Sequence, residues 1–72
     1  MEEYNMTFFA VIGEIFETKG RYRGEKFPIG TYISVDGFGS VSMYQIQEDG
    51  SVEYAGSLNL IQWLLEQKYR RL

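Results

Sequence analysis

The feature that most constrains this chain is the tripeptide Glu48-Asp49-Gly50, set between two runs of strand-like alternation at residues 41–47 and 51–55. A three-residue hairpin loop takes a left-handed residue last, and Gly50 occupies that position without steric cost. This loop pairs Ile46 with Val52 and Tyr44 with Tyr54 on one face, and Gln45 with Glu53 and Met43 with Ala55 on the other. A two-residue loop would set Ile46 against Glu53 and Gln47 against Val52, and such a slip turns whole faces over. The preceding turn, Asp36 to Ser40 (DGFGS), is expected to pair Val35 with Ser42 and Ile33 with Tyr44, which continues the same apolar face. The result is a meander of three strands over residues 31–36, 41–47 and 51–55. Pro28 and Gly30 bracket Ile29 just before it and mark a bend or an edge.

The last sixteen residues, SLNLIQWLLEQKYRRL, carry helical periodicity. Ser57 is a suitable N-cap, and basic residues in the final turn suit the helix dipole. At about 100° per residue, Leu58, Leu60, Ile61, Leu64, Leu65, Tyr69 and Leu72 share one half of the wheel. Trp63 falls among the polar residues Asn59, Gln62, Glu66, Gln67 and Arg70.

The first segment, TFFAVIGEIFETKG, reads two ways. Its β-branched and aromatic residues favour a strand. Its period favours a helix, with Phe8, Phe9, Val11, Ile12, Ile15 and Phe16 on one side and Glu14 and Glu17 opposite, ending at Lys19-Gly20. Gly13 within it counts against the helix. A thin domain cannot bury both faces of such a strand, which tips the balance towards helix. The expected fold is therefore one small α+β domain over residues 1–72. It has an antiparallel β-meander of three to four strands with a C-terminal amphipathic helix packed on one face. The N-terminal segment is a helix or an additional strand.

Composition narrows the chemistry. A 72-residue domain buries little core, and without Cys no disulfide staples it. The absence of Cys and His removes thiolate nucleophiles, zinc–thiolate sites, the commonest general base and the commonest metal ligand. Ser40, Ser42, Ser51 and Ser57 lack a His to activate them. No catalytic residue, metal site or cofactor is expected. Six Tyr, five Phe and one Trp supply large buried areas and tolerate half-wet surfaces. The acidic start MEEYNM is unlike a secretory leader, and no apolar run approaches membrane-spanning length. A cytoplasmic protein that does not engage membranes is expected.

The net charge of −3 hides a segregation by sign. All seven basic residues fall in two groups, Lys19, Arg21, Arg23, Lys26 and Lys68, Arg70, Arg71. Between them, residues 27–67 carry five acids and no base. The first basic group interleaves cations with Tyr22 and Phe27, the pattern by which single strands are held through phosphates and stacked bases. The competing reading is a solvated loop on an acidic protein. DGFGS looks like a piece of a phosphate-cradling loop, but no Lys or helix follows, so hairpin chemistry explains it better. Phe38 at its tip is a candidate contact residue. Glu48, Asp49 and Glu53 lie at a hairpin without a pocket and read as solvated acids. Trp63, rimmed by Gln67 and Arg70, has the makings of an interface anchor, or packs sideways under the N-terminal segment or the loop of residues 19–27.

Two functions follow as expectations. The first is a non-enzymatic protein-interaction module of the inhibitor or adaptor type, binding another protein or itself as a homo-oligomer through Trp63, Arg70, Gln67 and Phe38. The second is nucleic-acid binding through Lys19, Arg21, Tyr22, Arg23 and Lys26.

Overall fold

A computed structural model describes residues 3–58 and 62–72. The first segment is a helix, α1 (Phe8–Thr18), so periodicity prevails over strand propensity. Thr7 caps it, its side-chain oxygen accepting the Ala10 N–H at 3.1 Å. Lys19 closes it in the left-handed conformation (φ 53), its N–H bonded to the Ile15 carbonyl at 2.8 Å. Gly20 follows it, and a Cβ there would lie 2.9 Å from Arg71 Nε, at the far end of an exposed side chain that can shift aside. The helix buries Phe8, Val11 and Ile15. The apolar arc is wider than the buried contact, so Phe9 and Phe16 remain 71% and 50% exposed.

Five antiparallel strands follow: β1 (Tyr22–Gly24), β2 (Thr31–Val35), β3 (Val41–Ile46), β4 (Val52–Ser57) and β5 (Tyr69–Arg71). They form one sheet in the order β4-β3-β2-β1-β5. The expected meander is β2 to β4. The hairpin at Glu48–Gly50 closes as the sequence implies, pairing Ile46 with Val52, Gln45 with Glu53 and Tyr44 with Tyr54. Met43 departs from the expected partner: it pairs with Gly56, across a bulge between Met43 and Tyr44.

The preceding hairpin differs from expectation by one residue. Val35 pairs with Val41, Ile33 with Met43 and Tyr32 with Tyr44. The cause is that both turns are the same turn. Asp36 N–H bonds to the Ser40 carbonyl and Gly39 N–H to that of Asp36, just as Gln47 bonds to Ser51 and Gly50 to Gln47. Gly39 (φ 83) and Gly50 (φ 87) fill the same left-handed position. Asp36 Oδ1 adds bonds to the N–H groups of Phe38 and Ser40. The slip turns β2 over relative to the expected pairing: Ile33 and Met43 join the core, and Tyr44 and Tyr54 face the other way.

The long C-terminal helix is replaced by something shorter. Ser57 ends β4 and bonds Tyr54 Oη through its hydroxyl, rather than capping a helix. A short helix, α2 (Gln62–Leu65), is followed by β5, which pairs with β1 as Tyr22–Arg71, Arg23–Arg70 and Gly24–Tyr69. The expected positions Asn59, Leu60 and Ile61 lie outside the described residues. Of the predicted buried arc, Leu64 and Tyr69 are buried, whereas Leu65 and Leu72 are 41% and 50% exposed. The strand prevails because it satisfies β1's backbone while still delivering Tyr69 to the core, its hydroxyl donating to the Leu64 carbonyl at 2.7 Å.

The core is one cluster on one side of the sheet: Phe8, Val11 and Ile15 of α1, Leu64 of α2, Tyr22, Ile33 and Tyr69 of the strands, and Phe27. The Tyr22 hydroxyl donates to Glu14 and contacts Thr18 Oγ1 at 2.7 Å. Burial first, then the Glu14 carboxylate, raises its pKa. Burial pushes Tyr69 up to about 12. No described helix is long and apolar enough to cross a membrane.

Candidate functional site

With the core on one side, the opposite sheet face carries no helix among the described residues. Strand alternation decides what stands there. The register aligns Tyr54, Tyr44 and Tyr32 across β4, β3 and β2. One step beyond the Tyr22–Ile33 pairing sets Arg23 beside Tyr32, and Arg23 pairs with Arg70 on β5. A single row of three tyrosines and two arginines thus crosses all five strands. Tyr32 and Tyr44 are stacked with centroids 5.7 Å apart, and Tyr44 meets Tyr54 edge-on at 6.1 Å. On one side of this row lies a polar row, Ser57, Ser42 and Ser34, with Arg21 next along the register. On the other side lie Ile46 and Val52, 39% and 45% exposed, and near them Ile29, 92% exposed.

The arginines are held in different ways. Arg21 lies over the Tyr32 ring at 4.9 Å, a cation–π contact that covers this buried tyrosine and leaves the guanidinium at the surface. Arg23 is fixed: it donates to the carbonyls of Pro28 and Phe27 at 2.8 Å and of Thr31 at 3.3 Å, and to Tyr4 Oη at 3.1 Å. Arg70 lies over the Tyr4 ring at 5.3 Å. Its contact with the Tyr4 hydroxyl, aided by Arg23, outweighs desolvation and lowers the Tyr4 pKa, a sign of positive potential at this end of the row.

The strand positions of this face carry no carboxylate, although Glu3, ahead of α1, lines a hollow with Arg70 and Arg71 at its β5 end. Glu53 is the one acid within the five strands, and its parity places it on the opposite side, where Gln47 Nε2 donates to it at 2.9 Å. Asp36 and Asp49 are occupied as turn acceptors, and the Ser51 hydroxyl and N–H lower the Asp49 pKa. Among the described residues no group of His, Cys, Asp or Glu is arranged to hold a metal ion.

The residues singled out from sequence are dispersed. Trp63 stacks on Phe27 with centroids 5.5 Å apart and planes 16° off parallel, and is 36% exposed. Phe27, from the loop of residues 19–27, is therefore what covers it. Gln67 is buried, its Nε2 donating to the Trp63 carbonyl at 3.2 Å and its Oε1 accepting from Lys26 N–H at 3.0 Å. Arg70 belongs to the open face and Trp63 to the core side, so they do not form one anchor. Phe38 stands at its hairpin tip, 97% exposed. In the basic stretch, Tyr22 is a core residue, Arg23 is committed to backbone carbonyls, and Lys19 caps α1. Arg21 and Lys26 present exposed side chains. The residues that sequence reading missed are Tyr4, Tyr32, Tyr44 and Tyr54 as members of one surface. The signal was the alternation Arg21-Tyr22-Arg23, which marks a strand with its tyrosine inward and its arginines outward.

No protein family, curated protein or solved structure matches the chain.

Proposed function

We propose that this protein is a non-enzymatic protein-interaction module, of the inhibitor or adaptor type, that binds through its open sheet face. The observation that supports this best is the row Tyr54–Tyr44–Tyr32–Arg23–Arg70, on a face over which only the side chains of Arg21 and Tyr4 are seen to fold and whose strand positions carry no acid. Tyrosine and arginine give large, stiff contacts with polar ends, and serines beside them adapt their hydrogen bonds. Charge favours an acidic partner surface. Among the described residues, the acids other than Glu3 lie on the opposite face, on α1, or in turns and bends, and oppose an approach from other directions.

The test is capture from the native host, followed by titration of the captured protein against purified variants. Arg21→Glu and Tyr44→Ala are each expected to weaken binding by about tenfold or more, or about 1.4 kcal/mol. Trp63→Ala is expected to change it little. Undiminished binding by both face variants overturns the proposal.

A second reading has its own observation. A stacked tyrosine pair beside arginines also suits single-stranded nucleic acid. It requires affinity for a labelled oligonucleotide that falls steeply with salt and is lost in Arg21→Glu. Tyr22, buried in the core, takes no part in it. Absence of any anisotropy change at low salt removes this reading.

A further inference from the structure

We propose that the exposed edge of β4 pairs with β4 of a second copy, antiparallel about a two-fold axis at Tyr54, to give one sheet of twice five strands.

The two edges of the sheet are unequal. β5 is three residues long, and Met6 covers it, its N–H bonding to the Tyr69 carbonyl at 2.9 Å and its carbonyl accepting the Tyr69 N–H at 2.7 Å. β4 is six residues long, holds no Lys, Arg or Pro, and is exposed from Val52 to Ala55. Native sheets protect long edges with such residues, with other charges and bulges, or with a cover; β4 carries one charge, Glu53, and a bulge at Ala55, and among the described residues no strand pairs with its outer side. The run from Val52 to Tyr54, between the turn and the bulge, is the part of this edge left open to pairing.

Backbone direction limits the two-fold to Val52 or Tyr54, and Tyr54, nearer the middle of β4, pairs more of the strand. The Gln47 N–H to Ser51 carbonyl bond makes that pair a hydrogen-bonded one. Antiparallel alternation then makes Gln45–Glu53 bonded and Tyr44–Tyr54 non-bonded. The Ile46 N–H, directed to the Gly30 carbonyl on β2's side, agrees with this phase. The N–H and C=O of Tyr54 therefore point away from β3, out of the sheet edge. Two such residues related by a two-fold satisfy each other, each N–H donating to the other's carbonyl.

Charge agrees. In this register Glu53 stands opposite the second copy's Ala55, so no like charges are directly opposed, and Tyr54 stands beside its own equivalent. Pairing β4 with the second copy's β5 instead meets Met6 and propagates without closing. A single edge strand of six residues offers less than the ~800 Å² per partner of a standard interface. The dimer is therefore weak and concentration-dependent. It joins the two tyrosine rows end to end, with arginines at both outer ends. The pairing is carried by the edge and stands whether or not the open face binds another protein.

Sedimentation equilibrium from micromolar to millimolar protein tests it, with circular dichroism confirming that each variant is folded. The wild-type weight-average mass is expected to rise towards twice the monomer value. Tyr54→Lys and Tyr54→Glu are each expected to remain monomeric, and an equimolar mixture of the two to associate again, because position 54 faces itself across the axis. A constant monomer mass for wild type overturns the proposal, as does association that survives in Tyr54→Lys alone. Wild-type association with no recovery in the mixture overturns the two-fold at Tyr54.

Discussion

Replacing Gly24 by alanine adds one methyl group and is predicted to remove a large part of the stability of this domain. Gly24 lies in β1 opposite Tyr69, and a Cβ there would collide with Oε1 of Gln67 and come within 2.8 Å of Gln67 Cδ and Phe27 Cε1. Gln67 is 1% exposed and joins two segments, bonding the Lys26 N–H and the Trp63 carbonyl. To make room it must swing out, leaving both backbone groups unsatisfied. Each costs about 1–3 kcal/mol. Residual overpacking against Phe27 adds about 1–3 kcal/mol. The lower chain entropy of alanine returns at most ~1 kcal/mol. The net loss is about 2–8 kcal/mol, and a domain of this size has only about 4–11 kcal/mol in total. Gly13→Ala is the control, because nothing lies within 4 Å of a Cβ there and the site is an exposed helix interior. It is predicted to stabilise by about 0.5–1 kcal/mol. Urea unfolding followed by fluorescence of Trp63, the one tryptophan, measures both. In a Gly24→Ala background, Gln67→Ala is predicted to cost less than it does alone, by about 1–2 kcal/mol of coupling. A Gly24→Ala variant within 0.5 kcal/mol of wild type, by the usual threshold for a neutral surface change, would refute the reasoning.

Three further predictions follow from named contacts. Arg23→Gln loses the fork that gathers three carbonyls, and is predicted to cost about 2–3 kcal/mol in urea unfolding, whereas Arg21→Glu, which loses only the cation–π contact over Tyr32, costs about 0.5–1 kcal/mol. Above pH 10 stability is predicted to fall, because Tyr69 in the fold keeps its proton up to about 12 while the unfolded chain releases it near the ordinary value; the loss reaches about 3 kcal/mol and is complete as pH passes the folded value. Tyr69→Phe is expected to flatten that alkaline limb, read by thermal melts at stepped pH. Trp63→Ala is predicted to cost about 1–2 kcal/mol, since a half-buried ring stacked on Phe27 is lost, and melting temperature reads it.

What the sequence displayed and what it hid divide along physical lines. Local chemistry was legible: the Gly50 turn and the register of β3 with β4 from Tyr44 to Ile46 rest on residues close in sequence, and the period of residues 8–16 tipped the first segment towards helix while leaving a strand open. The slip at β2 was legible in principle, because Gly39 stands where Gly50 stands, at the last position of a three-residue loop. Faces were read from apolarity alone, and tyrosine misleads there, since Tyr44 and Tyr54 suit either a core or a wet surface. The C-terminal strand was hidden because its cause is non-local. Residues 69–71 keep a helical period, and only the unpaired backbone of β1, some forty-five residues earlier by the antiparallel pairing, draws them into the sheet. The candidate site was hidden for the same reason, for its row takes one residue from each of five strands and exists only once they are in register.

The claim at the centre of this account is that the open sheet face is the binding surface. Two-dimensional NMR of the labelled protein, titrated with the partner captured from its host, tests it most directly. The account predicts perturbed amides at Arg21, Arg23, Tyr32, Tyr44, Tyr54 and Arg70, with those of Val11, Ile15 and Leu64 unmoved. Perturbations gathered instead around Phe27, Trp63 and Leu65, with the tyrosine row unchanged, would contradict it.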